Sequence, residues 1–188
     1  MNYLLIYVDD ILIFIPKDLN SLAYIKKALL KEFEMKDMGE LKSFLGIEVT
    51  WDQEKHMITL SQKGYIDAIL EQFNYSDANP SWMPMVTQKM GGLIKGSNLN
   101  PRKEDYYSIV SSLIYLMIIT RPNLANSVGI ISRYLSNLSE EHLMVAKHIL
   151  CYVKGIREHS LILGCSNVEE TFNLYRYADA NWGNDIDT

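Results

Sequence analysis

Two adjacent carboxylates, Asp9 and Asp10, interrupt the apolar run LLIYVDDILIFI at residues 4–15. An ionised carboxylate is costly to bury unless it is paired or binds a metal. At the tip of a hairpin the two would project toward a cation. Hard oxygen donors of this kind suit Mg²⁺ or Mn²⁺ shared with substrate phosphates. The matching chemistry is phosphoryl transfer, in which two ions about 3.5–4 Å apart clamp the attacking and leaving oxygens of an in-line displacement. Successive strand side chains point to opposite faces, so the two need not share one role. Taken by itself, YVDD also fits an ordinary hairpin with a solvent-facing Asp-Asp turn.

The elements that would position this pair follow from periodicity. Residues 3–15, rich in Ile, Leu, Val, Tyr and Phe, are better explained as two strands meeting at a turn than as one. Pro16 ends the second strand, and Asn20 or Ser21 can cap a helix with Leu22, Ile25, Leu29 and Phe33 on one face, closed near Gly39. Residues 44–61 predict a hairpin: FLGIEV alternates with Leu45, Ile47 and Val49 toward the core, residues 52–55 turn, and HMITL returns. A second helix presents Tyr65, Ile66, Ile69, Leu70 and Phe73. Residues 76–104 collect prolines and glycines and predict a linker or long loop. Three helices are expected at 106–119, 122–135 and 139–153, with Pro122 in a first helical turn, Ser139 as a cap and Gly155 as a stop. LILG and FNLYRYADA then return to strands.

Composition narrows the classes. The 188 residues are 48% hydrophobic, enough for a real core. The formal charge of -5 weighs against a free-standing polyanion binder. Basic residues concentrate mid-chain: residues 120–160 carry five Lys/Arg against three acids, and 166–188 one against five. Cys151 and Cys165 form neither a disulfide framework nor a CxxC pair. Nothing resembles a signal peptide or a membrane span. The expected setting is intracellular, cytoplasm or nucleus, with no secretion and no membrane partner. The four histidines lack metal-ligand spacing. GGLIKG lacks the GK[ST] of a phosphate loop.

YVDDILI, FLGIEV, LSQKGYIDAILEQF, YYSIVSSLIYLMIITRPNLANSVGIISRYLSN, HILCYVKG and YADANW occur in that order and cover nearly the whole chain. The ordered set resembles the reverse transcriptase region of copia-type retrotransposon Pol polyproteins, running into ribonuclease H. The resemblance implies an RNA-directed DNA polymerase, a nucleotidyltransferase using Mg²⁺ or Mn²⁺ on an RNA or DNA template–primer, with the rest of the Pol polyprotein as a further partner. The implied fold class is α+β: a partial polymerase palm of antiparallel hairpins plus helices at residues 1–75, the linker at 76–104, a helical thumb-like region at 105–157, and the first strands of a ribonuclease H-like domain at 158–188. Asp9 is implied as principal metal ligand and catalytic residue, with Asp10 beside it. Asp179 would match the first ribonuclease H carboxylate. FLGIEV resembles the primer grip, which makes Leu45 and Gly46 nucleic-acid-binding together with Tyr7; on the thumb, Arg121, Arg133, Lys147 and Lys154 would meet phosphates.

The chain departs from this pattern in ways that bear on activity. A further palm Asp lies upstream of YVDD in the family, whereas only two residues precede Tyr3; nine residues follow Asp179, too few for the other ribonuclease H carboxylates. Asn123 stands where the family usually has Asp, and Cys151 where it has Arg. Two carboxylates without the third would position substrates poorly. The isolated chain is therefore expected to be an inactive fragment; the alternative is a degenerate or repurposed fragment acting, if at all, as a non-enzymatic interaction module. The first hairpin, with open apolar edges, is expected to self-associate.

Overall fold

Period-2 and period-3.6 segments of the sequence become six strands and five α-helices among the described residues. The structure, a computed structural model, describes residues 3–15, 19–85, 103–136 and 138–164. They fall into two units divided after Leu41. It is mixed α and β, with antiparallel sheets throughout.

In the first unit, β1 (Tyr3–Tyr7) pairs with β2 (Asp10–Phe14), and α1 (Leu19–Glu32) follows. Leu22, Ile25 and Leu29 lie half-buried on one face of α1, as the spacing predicts. Phe33 does not join them: the helix stops at Glu32 and Phe33 is exposed. The hairpin itself is unusually bare. Tyr3, Leu4, Leu5, Ile6 and Tyr7, on both faces of β1, are each about half exposed, and among the described residues only β2 is paired with that strand. Apolar two-stranded ribbons with open edges template further strands. Size-exclusion chromatography of the purified chain should therefore show concentration-dependent oligomers, and Ile6→Lys should shift them toward monomer. A wild-type monomer at every concentration would refute this.

The second unit builds a four-stranded sheet, β3 (Ser43–Phe44), β4 (Ile47–Asp52), β5 (Met57–Ser61) and β6 (Leu161–Gly164), in that order. The polar turn expected at residues 52–55 is present: the Lys55 amide donates to the Asp52 carboxylate at 3.0 Å. FLGIEV differs from its prediction. It is not one strand, because Leu45 and Gly46 form a two-residue turn between β3 and β4 with Phe44 opposite Ile47. Both turn residues have positive φ, +52° and +75°, as in the hairpin turn whose twist matches its strands. Leu45 consequently sits at a turn, 37% exposed, instead of facing the core. LILG closes the sheet by pairing β6 with β5. Its last residue must be glycine: a Cβ on Gly164 would overlap the His56 carbonyl oxygen.

Against this sheet's chain segments, α2 (Lys63–Gln72), α3 (Lys103–Ile119), α4 (Ala125–Ser132) and α5 (Glu140–Gly155) enclose the core. Ile66, Ile69 and Leu70 of α2 are buried, with Tyr65 and Phe73 packed beside them, as the amphipathic pattern requires. On α3 the spacing of Tyr106, Ile109, Val110, Leu113 and Leu116 gives a continuous buried stripe. Pro122 opens a 3₁₀ turn (Pro122–Leu124) and not an α-helix directly, and α4 ends at Ser132, short of residue 135. No helix among the described residues is long and apolar enough to cross a membrane.

Ser139 caps α5, but its reciprocal partner is a histidine. The Ser139 hydroxyl accepts from the His142 amide, and the Ser139 amide donates to His142 Nδ1 at 2.8 Å. The imidazole is fully buried and stacks on Tyr134 with ring centroids 4.1 Å apart. Burial holds its pKa below the usual value, opposed by the neighbouring Glu141. A doubly protonated ring cannot accept the Ser139 bond. The folded pKa lies below the unfolded value of about 6.5, so this stabilisation is complete above that pH and is lost as pH falls through it toward the folded pKa. Thermal unfolding should show a lower midpoint at mildly acid than at neutral pH, with a loss of about 1 kcal/mol as for other helix caps. His142→Gln, which keeps an acceptor at this position, should flatten that dependence.

Candidate active site

Register fixes where the two carboxylates stand. Tyr3 faces Phe14, and each following pair steps inward until Tyr7 faces Asp10, leaving Val8 and Asp9 as a two-residue turn. Asp9 is thus at the tip, and Asp10 is the first residue of β2. Both are exposed, as is Tyr7. Val8 has φ +50°. For a β-branched residue this left-handed conformation is a genuine outlier, and such strain gathers at functional sites. The strain sits next to Asp9.

Adjacent exposed carboxylates are hard oxygen donors of the kind Mg²⁺ takes, one or two together with waters and substrate oxygens. Among the described residues no group of three or more His, Cys, Asp or Glu side chains converges. Asp179 lies outside the described residues, as does the strand expected at FNLYRYADA.

The candidate nucleic-acid residues of the second unit separate into distinct environments. Leu45 and Gly46 share the β3–β4 turn, and the Tyr115 hydroxyl of α3 donates to the Leu45 carbonyl at 2.5 Å. Tyr65 of α2 packs edge-on against Tyr115 with centroids 5.0 Å apart. Nothing lies within 4 Å of where a Cβ on Gly46 would sit, and the residue takes the positive φ that the turn requires. Arg133 is exposed at the end of α4, and Lys147 is half-buried on α5.

Arg121 is not where a phosphate could meet it. The side chain is 2% exposed. After α3 stops, Arg121 turns inward across the end of α5, and its guanidinium donates to the carbonyls of Ile156, Arg157 and His159 and to the Thr120 hydroxyl. Those carbonyls lie at or just beyond the helix terminus, where intrahelical donors run out and the helix dipole favours a cation. Thr120 in turn donates to the buried Gln62 at 2.7 Å. Burial moves the guanidinium pKa below its usual value. Lys154 is also committed, its ammonium donating to the Ser76 and Ala78 carbonyls. That contact, with the Ser81 amide donating to the Cys151 carbonyl, pins the start of the expected linker onto α5. Residues 86–102 of that linker lie outside the described residues.

Sequence reasoning did not single out Tyr115, and it read Tyr65 only as part of the apolar face of its helix. No local pattern marks a hydroxyl whose partner is a carbonyl 70 residues away.

The sequence matches a family model described as reverse transcriptase (RNA-dependent DNA polymerase) over residues 2–87. It is 38% identical to the retrovirus-related Pol polyprotein from transposon TNT 1-94 of Nicotiana tabacum, over 98% of this chain and 14% of the polyprotein. The corresponding polyprotein from transposon RE1 of Arabidopsis thaliana is 37% identical over 98% of this chain and 12% of its own length. An uncharacterized mitochondrial protein of Arabidopsis thaliana is 31% identical, over 96% of this chain and 71% of that protein. The chain thus spans a small fraction of the polyproteins it matches. No solved structure matches it.

Proposed function

Because the chain belongs to the reverse transcriptase family, in the form carried by copia-type transposon Pol polyproteins, we propose that it supplies part of the active centre of an RNA-directed DNA polymerase. The observation that carries this is the presentation of Asp9 and Asp10 on a tight, exposed hairpin inside the segment that matches the family model. In this reading residues 1–75 complete a palm with its primer grip, 76–104 link, 105–157 form a thumb, and ribonuclease H begins within 158–188 with Asp179 as a metal carboxylate.

Asp9, with Asp10 beside it, would hold Mg²⁺ or Mn²⁺, which when bound supplies charge stabilisation at the transferring phosphoryl group. The hairpin holds Asp9 at the turn without burying it. Tyr7, opposite Asp10, offers an exposed ring for a base or sugar at the same end of the ribbon. Arg133 and Lys147 would meet template–primer phosphates; Arg121 and Lys154, engaged by carbonyls, leave that set. The rest of the polyprotein would supply the further palm carboxylate, in the cytoplasm or nucleus.

RNA-templated primer extension tests the reading. The isolated chain should be inactive, and joining it to the polyprotein sequence that precedes the matched segment in the TNT 1-94 relative should give Mg²⁺-dependent extension. Failure of the joined, folded protein to extend would overturn the catalytic role. The second reading is a degenerate or repurposed fragment acting, if at all, as a non-enzymatic interaction module. It would be supported by that failure.

A further inference from the structure

The Leu45–Gly46 turn is tied to a helix that the sequence places far from it. Tyr115 projects from α3 and donates its hydroxyl to the Leu45 carbonyl, while Tyr65 of α2 braces the Tyr115 ring from its edge. Carbonyl and amide of one trans peptide point in opposite directions. Holding the Leu45 carbonyl against α3 therefore turns the Gly46 N–H away from the helix. The space beside Gly46 is open. Backbone amides at exposed positions, as at Gly46, are position-setting donors to nucleic-acid phosphates. Gly46 also lacks a side chain that would keep a strand at a distance.

We propose that Tyr115 is a positioning residue: its hydroxyl fixes the Leu45–Gly46 peptide so that the Gly46 amide meets one phosphate of the primer strand. This rests on the reading of the turn as a primer contact. The helix in turn is anchored at its far end, where Thr120 donates to Gln62 at the start of α2. Tyr65, Tyr115, Thr120 and Gln62 together make the turn follow the α2–α3 pair as one body. A ligand that shifts α3 would then shift the primer contact, whereas an unanchored turn would move independently.

The test uses the full 188-residue chain, a labelled primer–template with a recessed 3′ end, and the same duplex with a blunt end. Wild-type chain should prefer the recessed end. A neutral methylphosphonate, scanned through the 3′-terminal phosphates of the primer, should weaken wild-type binding most at one position. Tyr115→Phe, which keeps the ring and loses the hydroxyl, should lower affinity for the recessed end about 5–10-fold, lose the position dependence of the scan, and speed exchange of the Gly46 and Ile47 amides at an unchanged unfolding midpoint. Retention of the wild-type scan profile by Tyr115→Phe overturns the positioning role. A wild-type chain with no preference for the recessed end overturns the reading of the turn itself, a separate failure seen before any substitution is made.

Discussion

Asp9→Asn should lower RNA-templated primer extension by about 10³-fold in the joined polymerase. In the proposed role, losing a carboxylate that would hold the ions would forfeit several kcal/mol of transition-state stabilisation, and each 1.36 kcal/mol is about tenfold in rate. Asparagine keeps the size of the side chain and removes only the charge. Asp9 is exposed at the turn, so its replacement should change stability by no more than about 0.5 kcal/mol. Asp10→Asn should cost less, about 10–100-fold, as for groups that orient metal ligands from beside them. Rates at saturating nucleotide, with unfolding midpoints measured in parallel, separate catalysis from folding. Equal residual activity in wild type and Asp9→Asn would remove Asp9 from the reaction.

Arg121→Ala should destabilise the second unit by about 2–4 kcal/mol, from buried carbonyls left without a donor and the cavity the side chain leaves. Three carbonyls beyond the end of α5 and the Thr120 hydroxyl lose their donor together. Domains are stable by only about 5–15 kcal/mol, so a large share of the fold's margin depends on one side chain. Arg121→Lys restores a charge but not the planar fork, and should recover only part of the loss. Urea midpoints check the magnitudes. Template–primer affinity per folded molecule, and its salt slope, should stay the same in the lysine variant, because a buried guanidinium displaces no counterions. A reduced salt slope would return Arg121 to the surface.

How much was legible in the sequence depends on whether the deciding partner was local. The β1–β2 hairpin and the buried faces of α2 and α3 were readable because period alone sets which side chains share a face. FLGIEV misled because its alternation is that of a strand, and leucine at a positive φ breaks the turn preference that would have revealed the fold-back. Gly46 was the only signal. Arg121 beside Pro122 looked like a surface cation because its partners are backbone carbonyls of another helix, and carbonyls have no letter in a sequence. Asp9 and Asp10 stand out in the sequence for the opposite reason: carboxylates inside an apolar run are anomalous without knowledge of any partner.

Pairing of β6 with β5 also sets a timetable for synthesis. The partner of Met57 is Gly164, so a nascent chain that has completed β5 must wait for about 100 more residues before that edge is covered. At roughly 5–20 residues per second this is about 5–20 s. During that interval β5 presents open hydrogen-bonding groups beside a growing helical segment. The unit therefore acquires its final edge late, and ribosome-bound chains ending before Leu161 should be the species most readily captured by chaperones.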